Sequence, residues 1–263
     1  MQKDWYILKV KKILFINDES IYPYSCTGAS ESIHLLLQQL KKIGGICMAI
    51  GCMQNYYLRH NKFDQIKESF IKYSEPYICK NYASYNLYFN NIQNDIKNFD
   101  PDLIITQIPS STRILETANL YEIPIVLFIH SFDEKFTNKQ LIKHITTYSK
   151  GYYKIFAVSE DVRKCVSRYG AESLVLYPGF QFEDYNFRIE DAHKILFVNP
   201  CLQKGVYYIM NLAKEFHEES FVIRENWGVT EKRIRDNLLK FDNITPLYNF
   251  LKNKITHKAL SHV

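Results

Sequence analysis

The sequence has no C-x-x-C pair and no Cys/His spacing that would close a tetrahedral zinc site, so a structural zinc module is excluded. Its six cysteines, Cys26, Cys47, Cys52, Cys79, Cys165 and Cys201, read as free thiols of a reducing cytosol. There is no basic, apolar and small-residue succession at the N-terminus, where Asp4 and then Lys9, Lys11 and Lys12 precede the first apolar run, so no signal peptide is expected. Apolar runs such as Ile123 to Ile129 fall far short of the roughly 20 residues a spanning helix needs. A cytoplasmic protein follows, with at most peripheral membrane contact through Lys clusters at Lys9–Lys12 and Lys252–Lys258. The more ordinary reading of those clusters is a solvated surface. The net charge of +5 is dispersed, with no sustained basic block, so no nucleic-acid partner is expected. Solenoid repeats and low-complexity tracts are also absent.

What is present is an apolar content of 46% in 263 residues, enough to bury a sizeable core. Short apolar runs alternate with segments of helical period, the pattern of a doubly wound parallel sheet in an α/β protein. Strands are predicted at Ile13–Ile16, Ile46–Ile50, Leu103–Ile105, Ile125–Ile129, Ile155–Val158 and Leu174–Leu176, each nearly continuous in apolar residues as in strands buried on both faces. Ile33, Leu36, Leu37, Leu40 and Ile43 share one helical face, and Gly44-Gly45 supplies the stop. Pro178-Gly179 closes this series, predicting an N-terminal domain over 1–180 and a polar, acidic linker over 181–192. A second series over 193–263 predicts strands at Ile195–Val198 and Phe221–Ile223 with helices at Val206–Phe216 and Glu231–Phe241. That stretch is short for a full doubly wound domain and reads as a partial one. From about Asn243 the pattern fades.

The loop after the first strand, Asn17 to Ser30, lies where parallel sheets bind ligands, and the helix it opens presents free N–H groups to an anion. Gly28 would let backbone approach a phosphate. The alternative is an ordinary turn with Ser30 as N-cap. No G-x-G-x-x-G and no G-x-x-x-x-G-K-[ST] occurs, which counts against a dinucleotide oxidoreductase and a P-loop NTPase. No carboxylate pair suits a glycoside hydrolase.

The ordered segments KILFINDES…YSCTGASESIHLLLQQLKKIGG, FDPDLIITQ, IPIVLFIHSF, KIFAVSEDVRKCV and VLYPGF resemble the N-terminal domain of retaining, nucleotide-sugar-dependent GT-B glycosyltransferases. KILFVNPCLQKGVYYIMNLAKEF is similar to the opening of their C-terminal, donor-binding domain. The resemblance implies a GT-B-like fold in which an acceptor-side domain is followed by an incomplete Rossmann-like donor-side domain. It also implies sugar transfer from a UDP-, GDP- or ADP-sugar to a hydroxyl acceptor (glycan, lipid or protein), with no metal and no tightly bound cofactor. Gly28 and Ala29 match the small-residue loop at the diphosphate or acceptor, and His130 matches the histidine that contacts the transferred sugar. Ser159 and Glu160 match a V-S-E helix start, and Lys204-Gly205 match a K-G whose ammonium pairs with the diphosphate. Each has a plainer reading: a core histidine for His130, an N-cap for Ser159, a surface lysine for Lys204.

Two departures bear on activity. Asn199 stands where the family often places a second basic residue, five positions before its Lys. The pair of Glu separated by seven intervening residues that holds the sugar and the ribose has no counterpart downstream of His193. Glu183 and Asp191 share that spacing but lie in the expected linker. Donor hydroxyls would then lack their usual acceptors, and donor affinity is expected to be poor. Three readings follow: an enzyme completed by a second chain, a non-catalytic homologue acting as a binding partner or subunit, and an unrelated Rossmann-like binding protein. The Tyr- and Asn-rich stretch from Gln54 to Asn98 reads as the variable, acceptor-facing wall, its tyrosines as packing.

Overall fold

Residues of opposite parity in the first strand face opposite ways, and each set finds its own core. The computed structural model describes residues 12–22, 24, 27–59, 70–73, 77–107, 113–131, 142, 146–147, 153–179, 194–224 and 232–247. In β1 (Lys12–Ile16), Leu14 and Ile16 join one buried cluster while Ile13 and Phe15 join another. The second cluster includes Ile33 and Leu37 of α1 (Gly28–Lys42), and the first includes Tyr88, Ile92 and Ile96 of α3 (Tyr85–Phe99). A sheet covered on both faces requires the near-continuous apolar strands seen in the sequence.

Within the unit Met1–Phe180 the remaining strands are β2 (Ile46–Cys52), β3 (Phe70–Tyr73), β4 (Ile78–Tyr82), β5 (Leu103–Gln107), β6 (Ile125–Ile129), β7 (Tyr153–Ala157) and β8 (Leu174–Val175). The sheet order is β3-β4-β2-β1-β5-β6-β7-β8, parallel except for β3, which pairs antiparallel with β4 at the edge. Helices α2 (Gln54–Arg59), α4 (Arg113–Leu120) and α5 (Glu160–Arg168) complete this α/β, Rossmann-like unit. The strand order reverses between β1 and β5, whose following chains leave in opposite directions. Such a point opens a crevice at the carboxyl edge of a doubly wound sheet.

The stretch read as a variable wall instead holds α2, β3, β4 and α3. It escapes the sequence pattern because β4 alternates, with Lys80 between the buried Cys79 and Asn81, and so forms no continuous apolar run. Helix α3 buries Tyr88, Ile92 and Ile96 at spacings of four, is capped by Ser84 and ends at Asp100 in the left-handed region, φ 52°. The tyrosines behave as packing there: Tyr57, Tyr82 and Tyr88 are core residues. Cys47, Cys52 and Cys79 are free and buried, and burial pushes the Cys52 and Cys79 thiols up to about 12. Cys26 lies outside the described residues.

The unit Gln181–Val263 contains a parallel sheet of order β11-β10-β9: β9 (Lys194–Val198), β10 (Ser220–Arg224) and β11 (Ile244–Leu247). Phe221 and Ile223 of β10 pack with α6 (Val206–Glu215) and α7 (Lys232–Leu238) through Val206, Ile209, Ala213, Ile234 and Leu238. Strand β11 falls where the sequence pattern fades; it contains Pro246, a residue that weakens any strand reading. The expected linker lies outside the described residues.

Candidate functional site

Strand parity decides which polar residues meet at the carboxyl edge of the first unit. In β5, Leu103 and Ile105 face α1, so Gln107 does too. In β6, Val126 and Phe128 face α1, so His130, two residues beyond Phe128, follows them. Because β5 and β6 are paired with Gln107 opposite Phe128, the two polar side chains come together beside the first turn of α1.

One amide connects them. Gln107 Nε2 donates to the Ala29 carbonyl at 2.8 Å and lies 3.0 Å from Nε2 of His130. Gln107 is 7% exposed, so this bridge across the point of strand reversal is inside the protein. The His130 ring also packs on Phe128, centroids 4.5 Å apart, and burial lowers its pKa to about 4. His130 is therefore neutral at physiological pH. Gln107 joins the candidate site only in the structure, although a polar residue ending an otherwise apolar parallel strand is an available signal in the sequence.

The loop from β1 to α1 is anchored before it reaches this site. Asn17 N–H donates to the Ile50 carbonyl at 2.9 Å, and Cys52 N–H to the Glu19 carbonyl at 3.2 Å. The Asn55 amide donates to Glu19 Oε1 at 2.9 Å and to the Tyr85 hydroxyl at 2.8 Å. Helix α1 then starts earlier than a Ser30 cap would allow. Thr27 is the cap, its hydroxyl accepting from Ser30 N–H at 3.1 Å, and Ser30 sits buried within the first turn.

Gly28 is exposed, and among the described residues a Cβ placed on it meets nothing within 4 Å. Packing does not demand a glycine there; the missing side chain leaves the end of α1 open to a ligand. Gly28→Val is expected to shift Tm by less than about 2 °C while weakening binding of a sugar nucleotide by about tenfold. Thermal unfolding and titration calorimetry on one preparation check both halves.

No family model and no curated protein matches the chain. Solved structures do. The UDP-N-acetylglucosamine 2-epimerase from Rickettsia bellii superposes with a TM-score of 0.55 at 14% identity, covering 93% of this chain and 71% of that one. The catalytic domain of starch synthase IV from Arabidopsis thaliana, bound to ADP and acarbose, gives 0.59 at 11% identity, covering 96% and 76%. A glycosyltransferase from Rickettsia africae gives 0.57 at 12%, covering 91% and 68%. The chain has a GT-B glycosyltransferase-like fold.

In this GT-B-like chain the other expected site residues occupy distinct places. Ser159 caps α5, accepting from Val162 N–H at 3.3 Å, and Glu160 pairs on the surface with Arg163 at 2.7 Å. Both follow β7, the strand paired with β6. Lys204 and Gly205 belong to the other unit. Lys204 closes an exposed 3₁₀ turn, Leu202–Lys204, and its ammonium has no side-chain partner among the described residues. Gly205 adopts φ 80°, a left-handed conformation that a side chain would strain, and caps α6, so its carbonyl and the free N–H groups of the helix follow the lysine directly. Asn199, also left-handed at φ 60°, ends β9 and donates its N–H to the Arg224 carbonyl at 2.8 Å. Among the described residues no three His, Cys, Asp or Glu gather as a metal site, and no helix is long and apolar enough to cross a membrane.

Proposed function

We propose that the chain binds a nucleotide sugar and transfers the sugar to a hydroxyl of a glycan, lipid or protein acceptor. The observation that carries this reading is the Ala29–Gln107–His130 bridge at the point of strand reversal, next to an open Gly28. It puts a neutral, half-buried donor and the free N–H groups of α1 at the edge where α/β sheets take their ligands. Support also comes from the compounds named with structures of similar fold: ADP with the starch synthase domain, and UDP-GlcNAc with the 2-epimerase from Neisseria meningitidis.

In this reading the diphosphate is held by Lys204 and the N-terminus of α6. Negative charge grows on the diphosphate as its bond to the sugar breaks, and a cation with an aligned helix dipole stabilises that charge more in the transition state than in the ground state. In the first unit, taken by itself, His130 offers its N–H to a hydroxyl or carbonyl oxygen, and Gly28 and Ala29 leave room for an anion or the acceptor. Ser159 and Glu160 keep a supporting role at the start of α5.

The test is a panel of UDP-, GDP- and ADP-sugars, assayed for binding and for turnover with sugar acceptors. At least one donor is expected to bind, with Lys204→Ala weakening it by about tenfold, the loss of one charge-assisted hydrogen bond at an exposed site. If none binds at millimolar concentration, the reading fails. A second reading, a non-catalytic binding partner or subunit, is favoured by the missing Glu pair downstream of His193. Donor binding without turnover on any acceptor would select it.

A further inference from the structure

The Gln107 side chain has only one orientation compatible with its neighbours. A carbonyl oxygen can only accept, so the group 2.8 Å from the Ala29 oxygen must be the amide nitrogen, not the amide oxygen. The same nitrogen lies 3.0 Å from His130 Nε2. An amide –NH₂ can only donate, so this contact is a hydrogen bond only if Nε2 carries no proton and accepts. The single ring proton of a neutral imidazole then resides on Nδ1, and among the described residues nothing bonds to that atom. We propose that Gln107 is a positioning residue which, anchored on the Ala29 carbonyl, holds His130 as the Nδ1–H tautomer so that it offers one neutral N–H donor to a ligand oxygen.

Three consequences separate this from a histidine that merely fills space. An imidazolium would direct a second N–H at the Gln107 amide, so the contact disfavours protonation in the same direction as burial. His130 is then neither a general acid near neutral pH nor a cationic partner of a phosphate. The group it suits is a hydroxyl or carbonyl oxygen, as on a sugar ring. The Ala29 carbonyl also belongs to the first turn of α1, so displacement of that turn by an anion at Gly28 would be felt at the histidine through one amide. The ligand class rests on the proposed function; the tautomer does not.

Long-range ¹H–¹⁵N correlation of the ring nitrogens in the ligand-free protein reads the tautomer directly. At pH 7 His130 is expected to show a protonated Nδ1 and an unprotonated, accepting Nε2. A protonated Nε2, or titration near the ordinary histidine value, overturns the proposal. Gln107→Glu supplies an acceptor in place of the donor, so the proton is expected to move to Nε2 and His130 to titrate at a pH at least about one unit higher. An unchanged tautomer in that variant also overturns it. Gln107→Ala, with UDP-glucose, GDP-mannose and ADP-glucose as probes, is expected to weaken whichever binds by about tenfold. Equal binding by wild type and Gln107→Ala overturns the positioning role. Failure of all three probes to bind the wild type, with the Nδ1–H tautomer observed, would refute the sugar-nucleotide reading and leave the tautomer assignment standing.

Discussion

Gly51→Val is expected to lower the stability of the first unit by about 3 kcal/mol, seen as a Tm lower by roughly 6–12 °C. Gly51 sits in β2 opposite Asn81, under the loop that leaves β1. A Cβ there would stand 2.8 Å from the Glu19 carbonyl oxygen, 2.8 Å from Asn81 Oδ1 and 3.0 Å from Ile21 Cγ2. The Glu19 oxygen is backbone and accepts from Cys52 N–H, so moving it breaks the loop's anchor. Asn81 is fully buried, its Oδ1 accepting from Ile21 N–H at 3.3 Å, and it has no room to turn away. The same loop leads into α1, so the variant should also lose whatever affinity the Gly28 end provides. Gly28→Val is the control, since no atom of the described residues opposes it. A Gly51→Val protein that melts with the wild type would show that the loop is not packed on β2 as described.

Acidification is the second large effect. Stability is expected to be fullest above the ordinary histidine value near pH 6.5 and to fall progressively as the pH drops toward 4, levelling for these groups below that. The groups responsible are His34 and His130, both held near 4 in the folded protein by burial. Between those values the unfolded chain takes up protons that the folded one does not, so the slope of stability with pH is positive. His34 is 5% exposed, stacked on Tyr22 with ring centroids 3.7 Å apart, and its Nδ1 lies 2.8 Å from the Tyr77 hydroxyl. By pH 5 the cost is about 2 kcal/mol for His34 and somewhat less for the half-buried His130. Urea unfolding at pH 7.5 and pH 5.0 measures it, above the range where most carboxylates titrate. His34→Leu is expected to remove about half of the difference. A pH-independent midpoint would mean that both rings are solvated or already charged.

Much of the architecture is legible in the order of the residues alone. The apolar strand runs from Ile13 to Leu176 correspond to β1, β2, β5, β6, β7 and β8, because a strand buried on both faces has no polar position to disguise it. Helix α1 is legible from Ile33, Leu37 and the Gly44-Gly45 stop. The resemblance of the ordered segments to GT-B glycosyltransferases points to the fold that the superpositions show. Elements with one wet or polar face are lost: β4 for Lys80 and Asn81, β11 for Pro246. A cap at Ser30 misplaces the start of α1 because serine outranks threonine as a capping residue, and only the bond from Ser30 N–H to the Thr27 hydroxyl shows that Thr27 caps the helix.

For the candidate site residues, their order along the chain identifies the strand ends and the chemistry available at each: Gly28 and Ala29 after β1, His130 after β6, Ser159 and Glu160 after β7 and, in the other unit, Lys204 and Gly205 before α6. It could not rank them, because a polar residue after a strand has the same local pattern whether it caps a helix, pairs on the surface or faces a ligand. Tertiary structure made those distinctions. It assigned Ser159 to a cap and Glu160 to a surface pair, and it set Gln107 between Ala29 and His130. That last arrangement depends on the neighbouring strands β1, β5 and β6, which bring together the first turn of α1, the end of β5 and the residue after β6, with Ala29 and His130 78 and 23 positions from Gln107 along the chain. Local pattern has no access to such separations; parallel pairing and strand parity create them.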